Sequence, residues 1–217
     1  MLIPSTRKAD AGFSLVELMV GLAVGLVLMS AMVALVLSVL RANAEATASA
    51  RLTQEGRAIG DLIQREIKRA RYAGSHLEFV GAGATPANPF GQVNMATAGC
   101  VKFAYDVDDD GVLDANEVKS IFLSGGGVYF AQGTTYAGTT CSNTASPTLK
   151  LSSPDVRVNT LSFAERVDNP LTPAVNEANK NEIIVQYAIE LTRKAGDDTN
   201  IGREFDQTIQ LRNPYLN

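Results

Sequence analysis

An uninterrupted apolar stretch near the N-terminus constrains this chain more than any other feature. Residues 13–40 read FSLVELMVGLAVGLVLMSAMVALVLSVL and contain a single charged residue, Glu17. As an α-helix this stretch would be about 42 Å long, which exceeds the ~30 Å hydrocarbon core of a bilayer. Arg7 and Lys8 precede it, and the positive-inside rule then keeps the N-terminus cytoplasmic and sends the rest of the chain across. We predict a hydrophobic transmembrane helix over residues 13–40.

Glu17 separates three interpretations of this helix. A cleaved secretory signal would use Ala42-Asn43-Ala44 as its A-x-A site, but the apolar stretch is far longer than the usual h-region of about 7–15 residues. A plain signal anchor explains everything except Glu17, because a carboxylate inside a membrane helix costs ~2.5–3.5 kcal/mol. The third interpretation gives Glu17 a charged partner.

The residues around Glu17 carry a resemblance to a known processing signal. The string GFSLVE, which runs from Gly12 to Glu17, resembles the type IV prepilin processing site. The resemblance implies a prepilin peptidase that cuts after Gly12, removes residues 1–12 as a leader peptide and methylates the new amine of Phe13. It also implies that Glu17 neutralises the Phe13 ammonium of a neighbouring filament subunit. Such pairing would remove the penalty that each charge carries alone in an apolar core.

The helix is expected to continue beyond the membrane. Residues 41–74 are rich in helix formers, and their apolar side chains recur at intervals of three, four and seven. This spacing is typical of an amphipathic helix with one buried face. We predict one helix over residues 13–73, about 90 Å long, with Gly74 as its C-cap. The predicted buried face consists of Leu52, Ile59, Leu62, Ile63, Ile67, Ala70 and Ala73.

Residues 75–217 are predicted to form a β-rich head. Residues 81–99 are rich in Gly, Ala and Pro and indicate a loop. Residues 182–192 alternate apolar and polar side chains, and the segment around Phe205, Ile209 and Leu211 is the predicted hairpin partner, joined through residues 193–203. An antiparallel sheet packed on the amphipathic helix would give an α+β fold. Further short strands are expected at 100–106, 117–123, 127–131, 148–151 and 155–164.

One segment of the head matches a metal-binding pattern. Residues 106–117, DVDDDGVLDANE, fit the D-x-D-x-D-G-x5-E calcium loop at each specified position. Alternate carboxylates, a glycine at the sharp turn and a closing bidentate glutamate together surround one Ca²⁺. β-like runs flank the loop, so we predict a solitary calcium loop between strands. A solvated acidic hairpin turn is the alternative. The expected ligands are Asp106, Asp108, Asp110, the Val112 carbonyl, Asp114 (often through water) and both oxygens of Glu117.

The two cysteines, Cys100 and Cys141, are far apart in the sequence and do not form a CxxC motif. If the head lies outside the cytoplasm, a disulfide between them is the default expectation, and two buried thiols are the alternative. We find no acid/base constellation that indicates an enzyme and no basic aromatic face that indicates nucleic-acid binding.

The segments FSLVELMVGLAVGL, QREIKRARYAGS and QLRNPY are together similar to PilW-type minor pilins. The resemblance implies a non-enzymatic subunit in a priming complex at the pilus tip. It implies an inner-membrane protein with a periplasmic head before assembly, and an extracellular pilus afterwards. The implied partners are prepilin peptidase and other minor and major pilins.

Two alternatives to a minor pilin stay open. Minor pseudopilins of type II secretion, of the J class, share the same layout. A bitopic periplasmic calcium-binding protein that is never processed would also carry an apolar helix and a head. Many major pilins have a proline near the middle of the apolar helix, and this helix has none, which favours a minor pilin or a pseudopilin over a major one.

Overall fold

A computed structural model describes residues 12, 14–74, 88–133, 135–136, 138–141, 148–166, 179–191 and 201–212. The chain divides into two compact units, Met1–Thr47 and Ala48–Asn217. Four sequence predictions lie partly or wholly outside the described residues: the leader peptide, the N-methylation site at Phe13, the loop over residues 81–99 and the connection over residues 193–203. Each unit is described by itself.

The first unit consists of the apolar part of helix α1, which spans Leu15–Ile67. Its large apolar side chains are exposed from Leu15 to Leu40. The hydroxyls of Ser30 and Ser38 donate to the carbonyls of Val27 and Leu35, three residues earlier, so these polar groups are satisfied within the helix. By length and composition the helix could cross a membrane, in agreement with the sequence prediction.

In the second unit, α1 buries one face against the head. The buried residues are Leu52, Gly56, Ile59, Gly60, Ile63 and Ile67. They follow the predicted spacing of three and four residues, and the two glycines extend the predicted apolar stripe. This periodicity identified the buried face because positions three and four apart lie on one side of a helix. Leu62, which was predicted to belong to that face, is only partly buried, since it lies about 100° around the helix from Ile63.

The end of the α-helix differs from the prediction. The helix ends at Ile67, six residues before the predicted end at residue 73. The amides of Arg69 and Ala70 donate to carbonyls three residues back rather than four, which tightens the last turn. The chain then reverses at Arg71, whose φ of 67° is left-handed. Gly74 is therefore not the C-cap, and the prediction of a cap there was wrong.

Beyond α1, the described residues of the second unit contain eight strands and a short 3₁₀ helix over Ala115–Glu117. All paired strands are antiparallel, which confirms the predicted α+β fold. The strands are β1 (Val93–Asn94), β2 (Cys100–Ala104), β3 (Val118–Ser124), β4 (Gly127–Gln132), β5 (Thr148–Lys150), β6 (Val156–Arg166), β7 (Asn179–Leu191) and β8 (Gly202–Gln210).

These strands form two sheets, where the sequence predicted one. The first sheet has the order β1-β2-β3-β4-β5 and the second β6-β7-β8. Period-two alternation shows which face of a strand is buried but not which strands pair, and so it did not reveal the break between β5 and β6. Strand β1 was also missed, because it is only two residues long and lies within the predicted 81–99 loop.

The β7–β8 hairpin is present as predicted. Ile183 pairs with Ile209, and Tyr187 pairs with Phe205. Ile183, Val185, Tyr187 and Ile189 are buried, while Gln186 between them is exposed. The alternation therefore places one face of the second sheet toward the core.

One hydrophobic core joins the helix to both sheets. It contains Ile59 and Ile63 from α1, Phe103 and Ile121 from the first sheet, and Val185 from the second, all at most 1 % exposed. Burying apolar surface from three elements at once is the main stabilising contribution in a unit of this kind.

Candidate functional site

The predicted calcium loop connects two paired strands. Ala104 at the end of β2 pairs with Val118 at the start of β3, so residues 105–117 form the loop of this hairpin. Leu113 is partly buried and packs on a small cluster that includes Ala104 and Val118. The loop therefore lies between strands, as the sequence indicated, and Leu113 packs it against the fold.

Three of the predicted carboxylates converge. Oxygen atoms of Asp106, Asp108 and Glu117 all lie within 4.8 Å of one another. Asp110 and Asp114 do not belong to this group. One carboxylate oxygen of Asp110 instead accepts a hydrogen bond of 2.7 Å from the amide of Val112, an interaction that stabilises the turn.

Asp106 is buried, with only 2 % of its surface exposed. Its Oδ2 accepts hydrogen bonds from the amides of Gly74 and Gly111, at 2.9 and 3.0 Å. Its Oδ1 is buried and has no hydrogen-bond partner in the described structure. A buried polar atom without a partner costs roughly 1–3 kcal/mol, so a ligand at this oxygen would remove a real penalty.

The charge state of Asp106 is set by two opposed effects. Burial by itself raises the pKa of the carboxyl, because it disfavours the charged form. The amides of Gly74, Gly111, Asp109 and Asp110 outweigh burial and leave the pKa below its ordinary value. Asp106 is therefore an anion whose charge is held by backbone N–H groups.

Glu117 closes the loop with both carboxylate oxygens. It is 1 % exposed. Its Oε1 accepts from the amide of Val107 at 2.7 Å, and its Oε2 accepts from the amide of Asp114 at 2.9 Å. Each carboxylate oxygen has two lone-pair directions, so both can hold a further partner. Glu117 is thus fixed in orientation and still able to act as a ligand.

The backbone of the loop is tightly curved around these side chains. Asp109 and Gly111 have positive φ values of 62° and 73°, as a sharp turn requires. Asp109 is held there by the hydroxyl of Tyr72, which donates to its Oδ1 at 3.0 Å. This hydrogen bond, and then the charge of Asp109, raise the pKa of Tyr72. A curved backbone with inward carboxylates is an arrangement that suits a hard cation.

Two residues from the segment that follows α1 also contact the loop, and the sequence did not mark them as part of the site. Gly74 donates its amide to Asp106, and Tyr72 holds Asp109. The amide of Asp106 donates to the Tyr72 carbonyl at 2.9 Å, which brings the two segments together. No local sequence signal marks these contacts, because they depend on how the chain after α1 meets the end of β2.

The predicted disulfide is present. Cys100 and Cys141 are bonded, with their Cα atoms 6.3 Å apart. Cys100 is the first residue of β2, and so the bond anchors the same hairpin that carries the acidic loop. Phe122 and Ala131 complete a small buried cluster around it.

Two family profiles match this chain. The prokaryotic N-terminal methylation motif matches residues 7–33. The profile described as prepilin peptidase-dependent protein B matches residues 45–211, which is more than half of the chain. The chain belongs to the prepilin peptidase-dependent protein B family. No curated protein and no solved structure matches it.

Membership of the prepilin peptidase-dependent protein B family confirms the resemblance to type IV prepilins. The protein is of the type IV pilin and pseudopilin class, whose families are structural and non-enzymatic. Prepilin peptidase and other pilins are the partners that membership supports. The prepilin-type motif together with the apolar helix fits anchoring in a membrane.

The structure describes only part of the predicted processing site in this member of the family. Gly12 is exposed, while Phe13 lies outside the described residues. Glu17 is exposed in the first turn of α1, and it makes no ion pair with any residue that the structure describes. The cleavage, methylation and assembly roles of these residues stay predictions.

Proposed function

We propose that this protein is a minor pilin that takes part in the assembly or initiation of a type IV pilus, in the complex at the tip. One observation carries the proposal: a single chain matches both the methylation motif, over residues 7–33, and the B-type prepilin family, over residues 45–211. The helix between Leu15 and Leu40 contains no proline, which supports a minor rather than a major subunit.

The proposed route begins in the inner membrane, with the head in the periplasm. Prepilin peptidase cuts after Gly12 and methylates the amine of Phe13. Glu17 then pairs with the Phe13 ammonium of a neighbouring subunit as the apolar helix enters the extracellular filament. A lone carboxylate in an apolar helix is costly, and the pair offsets that cost. Glu17 thereby favours subunits whose leader has been removed.

Replacement of Glu17 tests this assembly step. Glu17→Ala should leave membrane insertion intact, because an intramembrane charge has been removed. Incorporation into sheared filaments, measured by immunoblot, should fall because the Phe13 ammonium loses its partner. Glu45→Ala removes an exposed acid from the same helix and should incorporate normally. Equal incorporation of the unaltered protein, Glu17→Ala and Glu45→Ala would refute the pairing role of Glu17.

Mass spectrometry of the mature N-terminus distinguishes a processed pilin or pseudopilin from an unprocessed bitopic protein. A methylated N-terminus at Phe13 supports a pilin or a pseudopilin. An intact leader in cells that contain active prepilin peptidase would support the unprocessed bitopic protein. Detection in a type II secretion pseudopilus, and in no pilus, would assign the protein to the minor pseudopilins.

We further propose that the β2–β3 loop binds one structural Ca²⁺. The unpartnered Oδ1 of Asp106 supports this most directly, because a cation would satisfy a buried atom that the described protein leaves without a partner. One carboxylate oxygen from each of Asp106, Asp108 and Glu117 already lies within 4.8 Å of the other two. Carboxylate oxygens are ligands for hard cations, whereas zinc sites favour nitrogen and sulfur. Asp110, the Val112 carbonyl and Asp114 are the further ligands proposed from the motif.

Asp108 offers the sharpest test of the calcium site, since it is exposed and makes no hydrogen bond in the described structure. The full chain in non-ionic detergent should melt at a higher temperature in Ca²⁺ than in chelator. A Ca²⁺ concentration of about 100 times Kd should raise the free energy of unfolding by roughly 2.7 kcal/mol. Asp108→Asn should reduce the calcium-dependent rise and leave the melting temperature in chelator unchanged.

Glu204→Gln is the matched control, because it neutralises an exposed acid on β8. It should keep the full calcium response. Mg²⁺ should substitute poorly, because it needs a smaller octahedral shell. A melting temperature that ignores Ca²⁺ from micromolar to millimolar concentration, the range for such loops, would leave the loop as an acidic hairpin turn.

A further inference from the structure

Three basic side chains from two elements meet beside the end of α1. Lys68 and Arg69 follow the helix directly, and Arg212 follows β8. They line two adjoining depressions of about 340 and 480 Å³. Together these depressions form what we call the basic groove, with Lys68, Arg69 and Arg212 at its centre. Each depression is large enough to hold a small ligand or the side chains of a short peptide.

The central cations are incompletely neutralised. The Glu66 carboxylate forms an ion pair with Arg69, at 3.9 Å, and another with Arg65, at 3.5 Å. Arg69 additionally lies 4.0 Å above the ring of Tyr105. Lys68 and Arg212 form no ion pair with any residue in the described parts of the chain. The groove therefore contains two positive charges, on Lys68 and Arg212, that no described residue neutralises in an ion pair.

Basic residues after a helix often serve only to complement its negative C-terminal end. That explanation covers Lys68 and Arg69, which belong to the last turns of the helical segment. It does not cover Arg212, which comes from the end of the second sheet and is exposed. Convergence from a second element indicates a site for an external anion.

Acidic residues at both ends of the groove restrict what the anion can be. Asp61 lies at one end, and Asp106 and Asp109 lie at the other. A nucleic acid or an anionic membrane surface would bring a row of negative charges against these acids. A single carboxylate could contact the central cations alone, and arginine pairs well with carboxylates through two parallel hydrogen bonds.

We infer that the basic groove binds an acidic segment of another filament subunit, with one carboxylate placed between Lys68 and Arg212. The inference rests on the proposed function, since it takes the partner to be a neighbouring pilin. Exposed Val107, 52 % accessible at the edge of the groove, offers an apolar contact for the same segment. Nothing in the calcium proposal is needed for this binding.

The test uses the full chain in non-ionic detergent and fluorescence anisotropy. The probe is a labelled peptide with two glutamates among glycines and serines, and its matched partner has glutamines instead. We expect saturable binding of the glutamate peptide with Kd on the order of 1 mM or tighter, and none of the glutamine peptide. The double variant Lys68→Ala/Arg212→Ala should weaken binding by at least about tenfold.

Two variants make the result specific. Arg57→Ala removes an exposed cation of α1 outside the groove and should bind as the unaltered chain does. Lys68→Arg/Arg212→Lys keeps both charges and should retain most of the binding. Unchanged binding in the double alanine variant would overturn the inference. Tighter binding of inorganic phosphate or phosphatidylglycerol vesicles at the same residues would overturn the choice of an acidic peptide.

This experiment can fail independently of the proposed function. If the protein is found in pili and its groove ignores the peptide, the groove inference alone is wrong. If the groove binds the peptide and the processed protein never enters a pilus, the proposed function alone is wrong.

Discussion

At the scale of single residues, Gly56 permits a close approach between α1 and the second sheet. The hydroxyl of Tyr187 donates to the Gly56 carbonyl at 2.8 Å. Phe205 stacks on Tyr187 with ring centroids 5.1 Å apart, and its ring occupies the space where a Cβ at Gly56 would lie. Glycine in a helix costs about 1 kcal/mol relative to alanine, and here it permits aromatic packing directly on the helix backbone.

Gly56→Ala should therefore destabilise the protein. The added methyl overlaps the Phe205 ring, which cannot retract freely because it is stacked on Tyr187. Overpacking costs about 1–3 kcal/mol, and the gain in helix propensity of about 1 kcal/mol leaves a net loss of up to about 2 kcal/mol. Denaturant unfolding would measure it. Gly21→Ala, which meets nothing within 4 Å, should show no loss.

The acidic site could be predicted from sequence only in part. Fixed spacing within residues 106–117 identified the carboxylates, and Asp106, Asp108 and Glu117 do converge. The spacing could not show that Asp106 is buried or that Gly74 donates to it. Those facts depend on the contact between Gly74 and Asp106, which are 32 residues apart in the sequence. Local sequence patterns carry no information about such a contact.

At the scale of elements, the end of α1 is set by tertiary contacts rather than by helix propensity. Residues 68–73 are good helix formers, yet the amide of Arg71 donates to the Ala104 carbonyl in β2 rather than continuing the helix. The strand offers a hydrogen-bond acceptor and the positive φ of Arg71 turns the chain toward it. Propensity is a weak prior that such contacts override.

The disulfide should contribute strongly to the stability of the first sheet. It closes a loop between residues 41 positions apart that contains β2, β3 and β4. Cys100→Ala/Cys141→Ala should lower the free energy of unfolding by about 2–4 kcal/mol, because the unfolded chain gains freedom. Denaturant midpoints with and without reductant would measure the loss. The double variant should not respond to reductant, and an unaltered protein that ignores reductant would contradict the prediction.

At the scale of the whole molecule, the folded core belongs to the second unit. Every buried hydrophobic residue of the described chain lies at or beyond Leu52. The fold class followed from the sequence because the apolar stretch, the amphipathic stripe and the alternating strands are each local patterns. The division into two sheets did not, because alternation within a strand does not show which strands pair, and the break lies between β5 and β6.

Removal of residues 1–47 should leave a folded, water-soluble protein. The deleted part contributes no buried core residue to the described structure, and its loss takes away an exposed apolar helix. Near-ultraviolet circular dichroism and a cooperative denaturant transition would establish folding. Removal of residues 1–67 also deletes Ile59, Ile63 and Ile67 from the core and should abolish the transition. A non-cooperative product from the shorter deletion would show that the helix start is needed.

The bond between Cys100 and Cys141 also decides how far the protein can be stretched. A pulled polypeptide extends by about 3.3–3.6 Å per residue, and the bond excludes a segment with a sequence separation of 41 from the path of the force. In an optical trap, the oxidised head should therefore release about 140 Å less contour length on rupture than the reduced head. Tension along the backbone would therefore pass around the acidic hairpin, which lies between the two bonded cysteines in the sequence, rather than through it.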